Sequence, residues 1–458
     1  MENQKNKADL TIHILIIFLT GIYPLFLFEM HFESFAIQHL VLFLCTMGTL
    51  FYCVLRIRSG EWNLNFPCSR MDFMVFVLTG YSFVRIVYKI VITNGEKPES
   101  FEYEMVIMAL GALYFLLTSR LVSKETFKEI YFDILLYCGL IVFAILLWKY
   151  FGGEEADCVL AVLLKDRSGI SSYTLLICMA GIWQYVRCGD KLRTIFYMGV
   201  LITGFLVLLV NQSRLGIWIM VIVFIAVVVV QRPTAELIKR DMTLFSIYLF
   251  MLCNMSLLTN YTDLLYADIT YDLEQSICLD LLAATGGIIF FNYWSRIPAG
   301  MDLKRLVMRK MHRGYCFLLR LICVIFIGVI LGGNFWSGLP NSLGMKAVKD
   351  FAIPLVDEVH QGKSVFYLCF EQFGVIGSLL ILIICVCIIS ELKKNYSLDK
   401  PVTGMLILIA AVFLIQLLFW EGSISALPAY WIYTVLAVSY KEKGEKIISK
   451  KMKFEGEE

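Results

Sequence analysis

Three short segments combine cations with small polar residues in a chain that has few charges elsewhere. The first is Asn211-Gln-Ser-Arg-Leu-Gly216, directly before a long apolar run. Asn211 or Ser213 is able to cap a helix there, which puts Arg214 in the first turn. A helix N-terminus carries unpaired amides and a positive dipole end, so arginine is unfavourable unless an anion binds. The segment predicts a phosphate site; the alternative is an arginine that reaches lipid head groups.

The second segment, Asp166-Arg-Ser-Gly-Ile-Ser-Ser172, repeats this arrangement. Arg167 stands beside small hydroxyl residues just before another apolar run, expected to begin near residue 171. Two such sites would suit the two phosphates of a pyrophosphate. The alternative is a surface loop with a capping serine.

The third segment is Asp357-Glu-Val-His-Gln-Gly-Lys-Ser364, at the end of a long polar stretch. An unperturbed histidine has a pKa of about 6.5, so His360 is suited to proton transfer at neutral pH. Lys363 follows at the predicted membrane boundary. A polar surface histidine and an interfacial lysine are the alternatives for these two residues. Asp357 and Glu358 are further candidate bases.

Arg85 and Lys89 lie one turn apart within an apolar run. A charge inside a membrane span is costly and faces either a cavity or a partner. Lys89 is able to reach outward to the interface, whereas Arg85 is further from it. We therefore include Arg85 among the candidate anion-binding residues.

The elements that must position these residues are transmembrane helices. Of the 458 residues, 59% are hydrophobic and only 17% are charged, and the mean hydropathy is +0.74. Many apolar runs reach the roughly 20 residues that cross a bilayer. Backbone amides in lipid must be satisfied internally, and these runs do not alternate as barrel strands do. The sequence predicts an all-α bundle and one integral membrane domain over residues 1–458.

About fourteen spans are predicted, and basic residues set their orientation. Of the 40 basic residues, 29 fall in the short segments that alternate toward one side, so both termini are predicted to be cytoplasmic. The main extracytoplasmic loop is predicted at 332–363, between spans eleven and twelve. The predicted spans are 11–29, 37–55, 73–93, 105–119, 130–149, 171–187, 194–210, 215–231, 242–259, 276–294, 315–333, 364–390, 402–420 and 424–440.

Several classes of function are disfavoured by the sequence. The net charge of +2 gives no basic field for nucleic acid, and the 14 cysteines are scattered without a CxxC motif. No P-loop, dinucleotide-binding glycine pattern, HExxH motif or nucleophile elbow is present. No carboxylate cluster indicates a metal, so neither metal nor cofactor is expected.

The motifs together resemble the O-antigen ligase and O-antigen (capsular) polysaccharide polymerase superfamily of bacteria. Ser213-Arg214 is similar to the Ser-Arg-Gly start of a family helix, and Arg167-Ser-Gly is similar to an earlier Arg-x-x-Gly segment. Phe373-Gly-Val-Ile-Gly377 matches a Gly-x-x-Gly pattern that follows the long outer loop. The resemblance covers residues 160–390.

One position departs from the family pattern. Counting back from Gly374, the family histidine position holds Lys363, followed by Ser364, whereas His360 with Gln361 stands three residues earlier. Three residues are about one helical turn, so His360 is still able to reach the same space. Both His360 and Lys363 remain candidates for the histidine's role.

The resemblance implies glycosyl transfer outside the cytoplasmic membrane of a bacterium. The donor would be a glycan on undecaprenyl pyrophosphate, held by Arg167, Arg214, Arg85 and Lys363, with His360 as the base. The chemistry would be independent of metals and cofactors. Membrane lipids would surround the protein, and a chain-length regulator and a flippase are the partner proteins implied.

Three functions stay open. A polymerase that joins repeat units is preferred, and a ligase of the same superfamily would use the same face and donor. A lipid-linked polysaccharide flippase is the alternative from another class. A flippase should show two similar halves and polar residues at mid-depth of several spans, whereas basic residues here gather at one side.

Overall fold

The computed structural model describes residues 2–24, 34–59, 70–92, 101–118, 130–151, 167–211, 214–230, 240–241, 243–248, 251, 365–395, 401–419 and 426–439. Within these ranges nearly every residue is helical and no strand occurs, which confirms the all-α prediction for this part of the chain. The helices, numbered along the chain, are α1 (Glu2–Ile17), α2 (Ser34–Arg58), α3 (Arg70–Ile92), α4 (Phe101–Thr118), α5 (Ile130–Phe151), α6 (Arg167–Arg187), α7 (Lys191–Val210), α8 (Arg214–Val230), α9 (Val365–Asn395), α10 (Pro401–Phe419) and α11 (Leu427–Ser439).

Five stretches of these helices are long and apolar enough to cross a bilayer. They contain 18 to 22 residues, which at 1.5 Å per residue matches a hydrocarbon core of about 30 Å. These helices indicate a membrane protein. The stretches are His39–Arg58, Arg70–Tyr88, Tyr131–Trp148, Lys191–Val210 and Phe373–Lys394.

Eleven of the predicted spans overlap a described helix. Of span nine, 242–259, the described residues 243–248 and 251 are helical. Spans ten and eleven and the predicted loop 332–363 lie outside the described residues. The total of fourteen spans and their orientation stay predictions.

The first helix ends in a widened turn because a proline follows it. A π-helical segment, Phe18–Ile22, continues α1, and Tyr23 N–H donates to the carbonyl of Phe18. Pro24 follows and has no N–H with which to continue the helical bonds. The O–H of Tyr173 in α6 donates to the carbonyl of Thr20 at 3.4 Å, which joins the two helices.

Polar contacts show that neighbouring helices run antiparallel. Asp133, near the start of α5, accepts from Gln184 near the end of α6 (3.1 Å) and from Tyr197 near the start of α7 (2.7 Å). Tyr114, near the end of α4, donates to Asp72 near the start of α3 at 2.6 Å. The charge pattern predicts this end of the bundle to be cytoplasmic, and we call it the predicted inner end. The opposite end is the predicted outer end.

Glycines allow α5, α6 and α7 to approach one another closely. A Cβ at Gly139 would overlap Ile177, one at Gly181 would crowd Leu201, and one at Gly204 would crowd side chains of α5 and α6. Small residues at such contacts are the usual way in which membrane helices gain packing energy. α8 and α10 both pack against α6.

The shortest described helix, α11, lies at the centre of the bundle. Its residues from Pro428 to Ala437 are all buried. Trp431 donates to the carbonyl of Leu110 in α4 at 2.9 Å, and Tyr433 donates to that of Tyr131 in α5 at 3.4 Å. The helix has 13 residues and a length of about 20 Å. Because ten of them in a row are buried, it is enclosed by protein over the length described.

Candidate functional site

Two of the predicted anion-binding arginines stand at the first residue of a helix. α6 begins at Arg167, one turn earlier than the predicted span, and α8 begins at Arg214. Both starts lie at the predicted outer end. The structure describes the backbone at these two positions, and their phosphate-binding role stays a prediction.

A hydrogen bond joins the two segments that carry these arginines. Asn211, the C-cap residue of α7, lies three residues before Arg214, and Ser171 lies one turn into α6. The Nδ2 of Asn211 donates to the Oγ of Ser171 at 2.5 Å, and both side chains are buried. The start of α6 and the connection from α7 to α8 are therefore in contact, although 40 residues separate the two partners.

A closed ring of hydrogen bonds continues from the next serine. The Oγ of Ser172 donates to Oε1 of Gln416 in α10 at 2.8 Å. Nε2 of Gln416 donates to the hydroxyl of Tyr430 in α11 at 3.2 Å, and that hydroxyl donates to the carbonyl of Ser172 at 2.9 Å. We call Ser171, Ser172, Asn211, Gln416 and Tyr430 the outer polar cluster. It fixes α6, α7, α10 and α11 at the predicted outer end.

Sequence reasoning found one half of this cluster and missed the other. The serines and Asn211 were visible because they adjoin arginines. Gln416 and Tyr430 were missed because each lies in a mostly apolar helix, where a single polar side chain usually only completes packing. A buried amide in a membrane helix needs a partner, and that need was the available signal.

Arg85 forms an ion pair with Glu104. The Nε of Arg85 lies 3.1 Å from Oε1 of Glu104; the arginine side chain is 21% exposed and the glutamate 0%. Glu104 lies one residue before the predicted span 105–119, but the helix itself begins earlier than that span. α4 begins at Phe101 and carries Glu104 into its first turn, because the charge of Arg85 within α3 needs a partner at that depth.

The same arginine lies beside a break in α9. Its guanidinium carbon is 5.6 Å from the ring centre of Phe373 and 5.8 Å from that of Tyr81. Tyr81 donates to the carbonyl of Phe373 at 3.0 Å. Gly374, the next residue, has φ 67° and ψ −172°, which divides α9 into two helical pieces. We call Tyr81, Arg85, Glu104, Phe373 and Gly374 the Arg85 group.

The two glycines of the Gly-x-x-Gly motif are needed for different reasons. Gly374 occupies a backbone region that is essentially restricted to glycine, while a Cβ there would meet nothing within 4 Å. At Gly377 a Cβ would overlap the Cβ of Phe373. The first glycine therefore sets the direction of the chain, and the second makes room for the residue that stacks on Arg85.

The predicted acid–base residues precede α9 in the sequence. His360, Lys363, Asp357 and Glu358 lie outside the described residues, shortly before α9 begins at Val365. Lys89 lies in α3, one turn beyond Arg85. The roles of His360 and Lys363 stay predictions.

No group of three or more histidine, cysteine, aspartate or glutamate residues with metal-binding geometry occurs among the described residues. The polar groups that the outer polar cluster and the Arg85 group provide at the predicted outer end are hydroxyls, amides and one ion pair.

Comparison with known proteins identifies no relative: no family model, no curated protein and no solved structure matches the chain.

Proposed function

We propose that this protein is a membrane glycosyltransferase that polymerises oligosaccharide repeat units linked to undecaprenyl pyrophosphate. The reaction would take place at the outer face of a bacterial cytoplasmic membrane. The observation that supports it is the hydrogen bond from Asn211 to Ser171. It joins the two segments whose arginines are suited to the two phosphates of one diphosphate group.

The starts of α6 and α8 are both favourable positions for an anion. α6 and α8 each begin at an arginine, so each start adds the positive dipole end of a helix to a guanidinium. Such a start is a natural anion site. Two starts held together by the outer polar cluster would stabilise the charge that develops as the lipid diphosphate leaves.

The proposed reaction is a displacement at the anomeric carbon. A hydroxyl oxygen of the acceptor glycan forms the new bond to that carbon, while the bond from carbon to the pyrophosphate oxygen breaks. The pyrophosphate leaves with the bonding electrons, and a base takes the hydroxyl proton. His360 is the candidate base, and Lys363 is the candidate for a further phosphate contact.

The Arg85 group supports the site indirectly. The charge of Arg85 is already balanced by Glu104, so we assign phosphate binding first to Arg167 and Arg214. Arg85 stacks on Phe373, directly before the break at Gly374. It therefore helps to fix α9, which follows His360 and Lys363 in the sequence, and a direct phosphate contact is its secondary role.

The experiment that tests the reaction class is the lipid-linked glycan profile of a strain in which the gene is deleted. Single repeat units on the outer leaflet are expected if the protein is a polymerase. Long polymer retained on the lipid would instead identify a ligase, and units trapped in the inner leaflet would identify a flippase. Either result contradicts the polymerase proposal.

Complementation with variants tests the residues. Arg214→Ala and Arg167→Ala are each expected to lower chain extension by about 100-fold, typical for loss of one preorganised charge-stabilising donor. Lys191→Ala, an exposed residue at the predicted inner end, is the control and should extend chains normally. Wild-type chain lengths with Arg214→Ala, at equal protein abundance, would contradict the phosphate role.

His360→Ala and Lys363→Ala separate the base from the phosphate ligand. Loss of the base should remove activity at every donor concentration, whereas loss of a phosphate contact should be partly overcome by more donor. If only Lys363→Ala removed activity, the base would have to be assigned to another residue.

A further inference from the structure

A groove of about 550 Å³ lies between the start of α3 and the end of α9, at the predicted inner end and away from the proposed reaction site. One wall is apolar and the rim is polar. The apolar residues are Met71, Val386 and Cys387, and the polar ones are Arg70, Ser390, Glu391 and Lys394.

The rim carries a net positive charge. The Nζ of Lys394 lies 2.6 Å from Oε1 of Glu391, so these two charges largely cancel. Arg70 is exposed and makes no ion pair with any residue in the described ranges. An ammonium has three donors, and Lys394 uses one for Glu391. The groove therefore offers a free guanidinium and spare lysine donors to an anion.

Apolar side chains continue away from the groove on both of its helices. Phe73 and Phe76 on α3 and Leu382, Val386 and Ile389 on α9 are all well exposed. In a helix that crosses a bilayer, such a face is covered by acyl chains. The cations stand at the end of this face, where lipid head groups lie.

We propose that this groove binds an anionic glycerophospholipid of the cytoplasmic leaflet. Arg70 and Lys394 contact the phosphate, Ser390 supplies a hydroxyl, and one acyl chain lies along Met71, Val386 and Ile389. A soluble anion would use the cations but leave the apolar wall unused. A zwitterionic lipid would use the wall but gain less from the rim, so a lipid with net negative charge satisfies both.

The test is lipid binding to the purified full-length protein in detergent, counted by native mass spectrometry. Phosphatidylglycerol and phosphatidylcholine of equal chain length are the two probes. We expect preferential binding of phosphatidylglycerol, reduced about fivefold by Arg70→Ala and by a similar factor by Lys394→Ala, the effect of one basic residue at an anionic surface. Binding of phosphatidylcholine should fall by a smaller factor, and Arg70→Lys should retain most of the preference.

Lys191→Ala is the matched control, because Lys191 is exposed at the same predicted inner end but does not line the groove. Equal binding of both lipids to the wild type would overturn the proposal, as would an unchanged preference in Arg70→Ala. Competition by glycerol 3-phosphate as strong as by the whole lipid would also overturn it, because the site would then bind a soluble anion.

Discussion

The Arg85 group and the outer polar cluster stabilise the same predicted end of the bundle by different means. The Arg85 group connects α3, α4 and α9 through one ion pair, ring contacts and a tyrosine–carbonyl bond. The outer polar cluster connects α6, α7, α10 and α11 through neutral hydrogen bonds. Both join parts of the chain that are hundreds of residues apart.

The two assemblies differ in charge and in exposure. In the ring of Ser172, Gln416 and Tyr430 every side-chain oxygen and nitrogen atom takes part in a hydrogen bond, and all three side chains are buried. In the ion pair, Glu104 is buried while Arg85 is partly exposed. Removing one member of a buried charged pair leaves the other charge without a partner. This lowers stability more than the loss of one neutral hydrogen bond does.

Because of this difference, we expect the two assemblies to have different structural roles. The neutral cluster is suited to fixing the distance between the two arginine-bearing helix starts. The Arg85 group adjoins the glycine break that separates the two helical pieces of α9, so it is suited to fixing the direction of the first piece, which follows His360 and Lys363 in the sequence. Substitutions in the two assemblies should therefore differ in size and in what they affect.

The largest effect is expected for Glu104→Ala. This change leaves Arg85 without its partner, and we expect the free energy of unfolding to fall by about 3 kcal/mol, the lower end for a broken buried pair because Arg85 is partly exposed. Reversible denaturation in detergent measures it. Arg193→Ala, which removes an exposed pair with Asp190 of 4.0 Å, is the control and should change stability by less than about 1 kcal/mol.

A double variant separates structure from function in this pair. Arg85→Met with Glu104→Met removes both charges, so stability should recover relative to Glu104→Ala. If Arg85 also contacts the diphosphate, this variant should be stable yet extend glycan chains poorly. A double variant as unstable as Glu104→Ala would contradict the idea that an unpaired charge causes the loss.

Gly374→Ala should have the next largest effect. An alanine at φ 67° and ψ −172° is expected to cost about 2 kcal/mol, because that region is almost inaccessible to residues with a Cβ. Gly80→Ala is a matched control: it lies within α3, also with nothing within 4 Å of a Cβ, and should be neutral or stabilising by about 0.5–1 kcal/mol. Equal effects in thermal denaturation would show that backbone conformation at Gly374 is not the cause.

The sequence alone was sufficient to predict most of the described helices and the helix starts near Arg167 and Arg214. Long apolar runs separated by basic segments leave few alternatives, and eleven predicted spans overlap described helices. Arg167 and Arg214 were expected near helix starts because small polar residues precede or follow them. These features depend on neighbours in sequence, so they are visible without the fold.

The sequence was insufficient for contacts between distant segments. Glu104 was not among the predicted site residues because its partner, Arg85, belongs to another helix. Gln416 and Tyr430 gave no indication of which residue they contact, since their partner Ser172 lies more than 240 residues away. Periodicity shows which residues are apolar, but the pairing of single polar residues depends on which helices become neighbours.

Gln416→Leu tests whether the outer polar cluster positions the arginines. It removes two hydrogen bonds from a buried ring, so we expect a loss of about 1 kcal/mol in the free energy of unfolding. Chain extension should fall more than this small loss of stability explains, and Arg214→Ala should then add little further effect. Normal extension with Gln416→Leu would show that the ring contributes to packing only.

The smallest effect is expected for the contact that joins the two arginine segments. Asn211→Ala and Ser171→Ala should show a coupling of about 0.6 kcal/mol in a double-mutant cycle, the usual value for one hydrogen bond between membrane helices. The cycle applied to glycan chain extension is more informative, because the proposed diphosphate site depends on this distance. If both single variants lowered extension and the double variant were no worse, the contact itself would be the positioning element. If their effects simply added, the two residues would act independently, and Arg167 and Arg214 would need another reason to share one ligand.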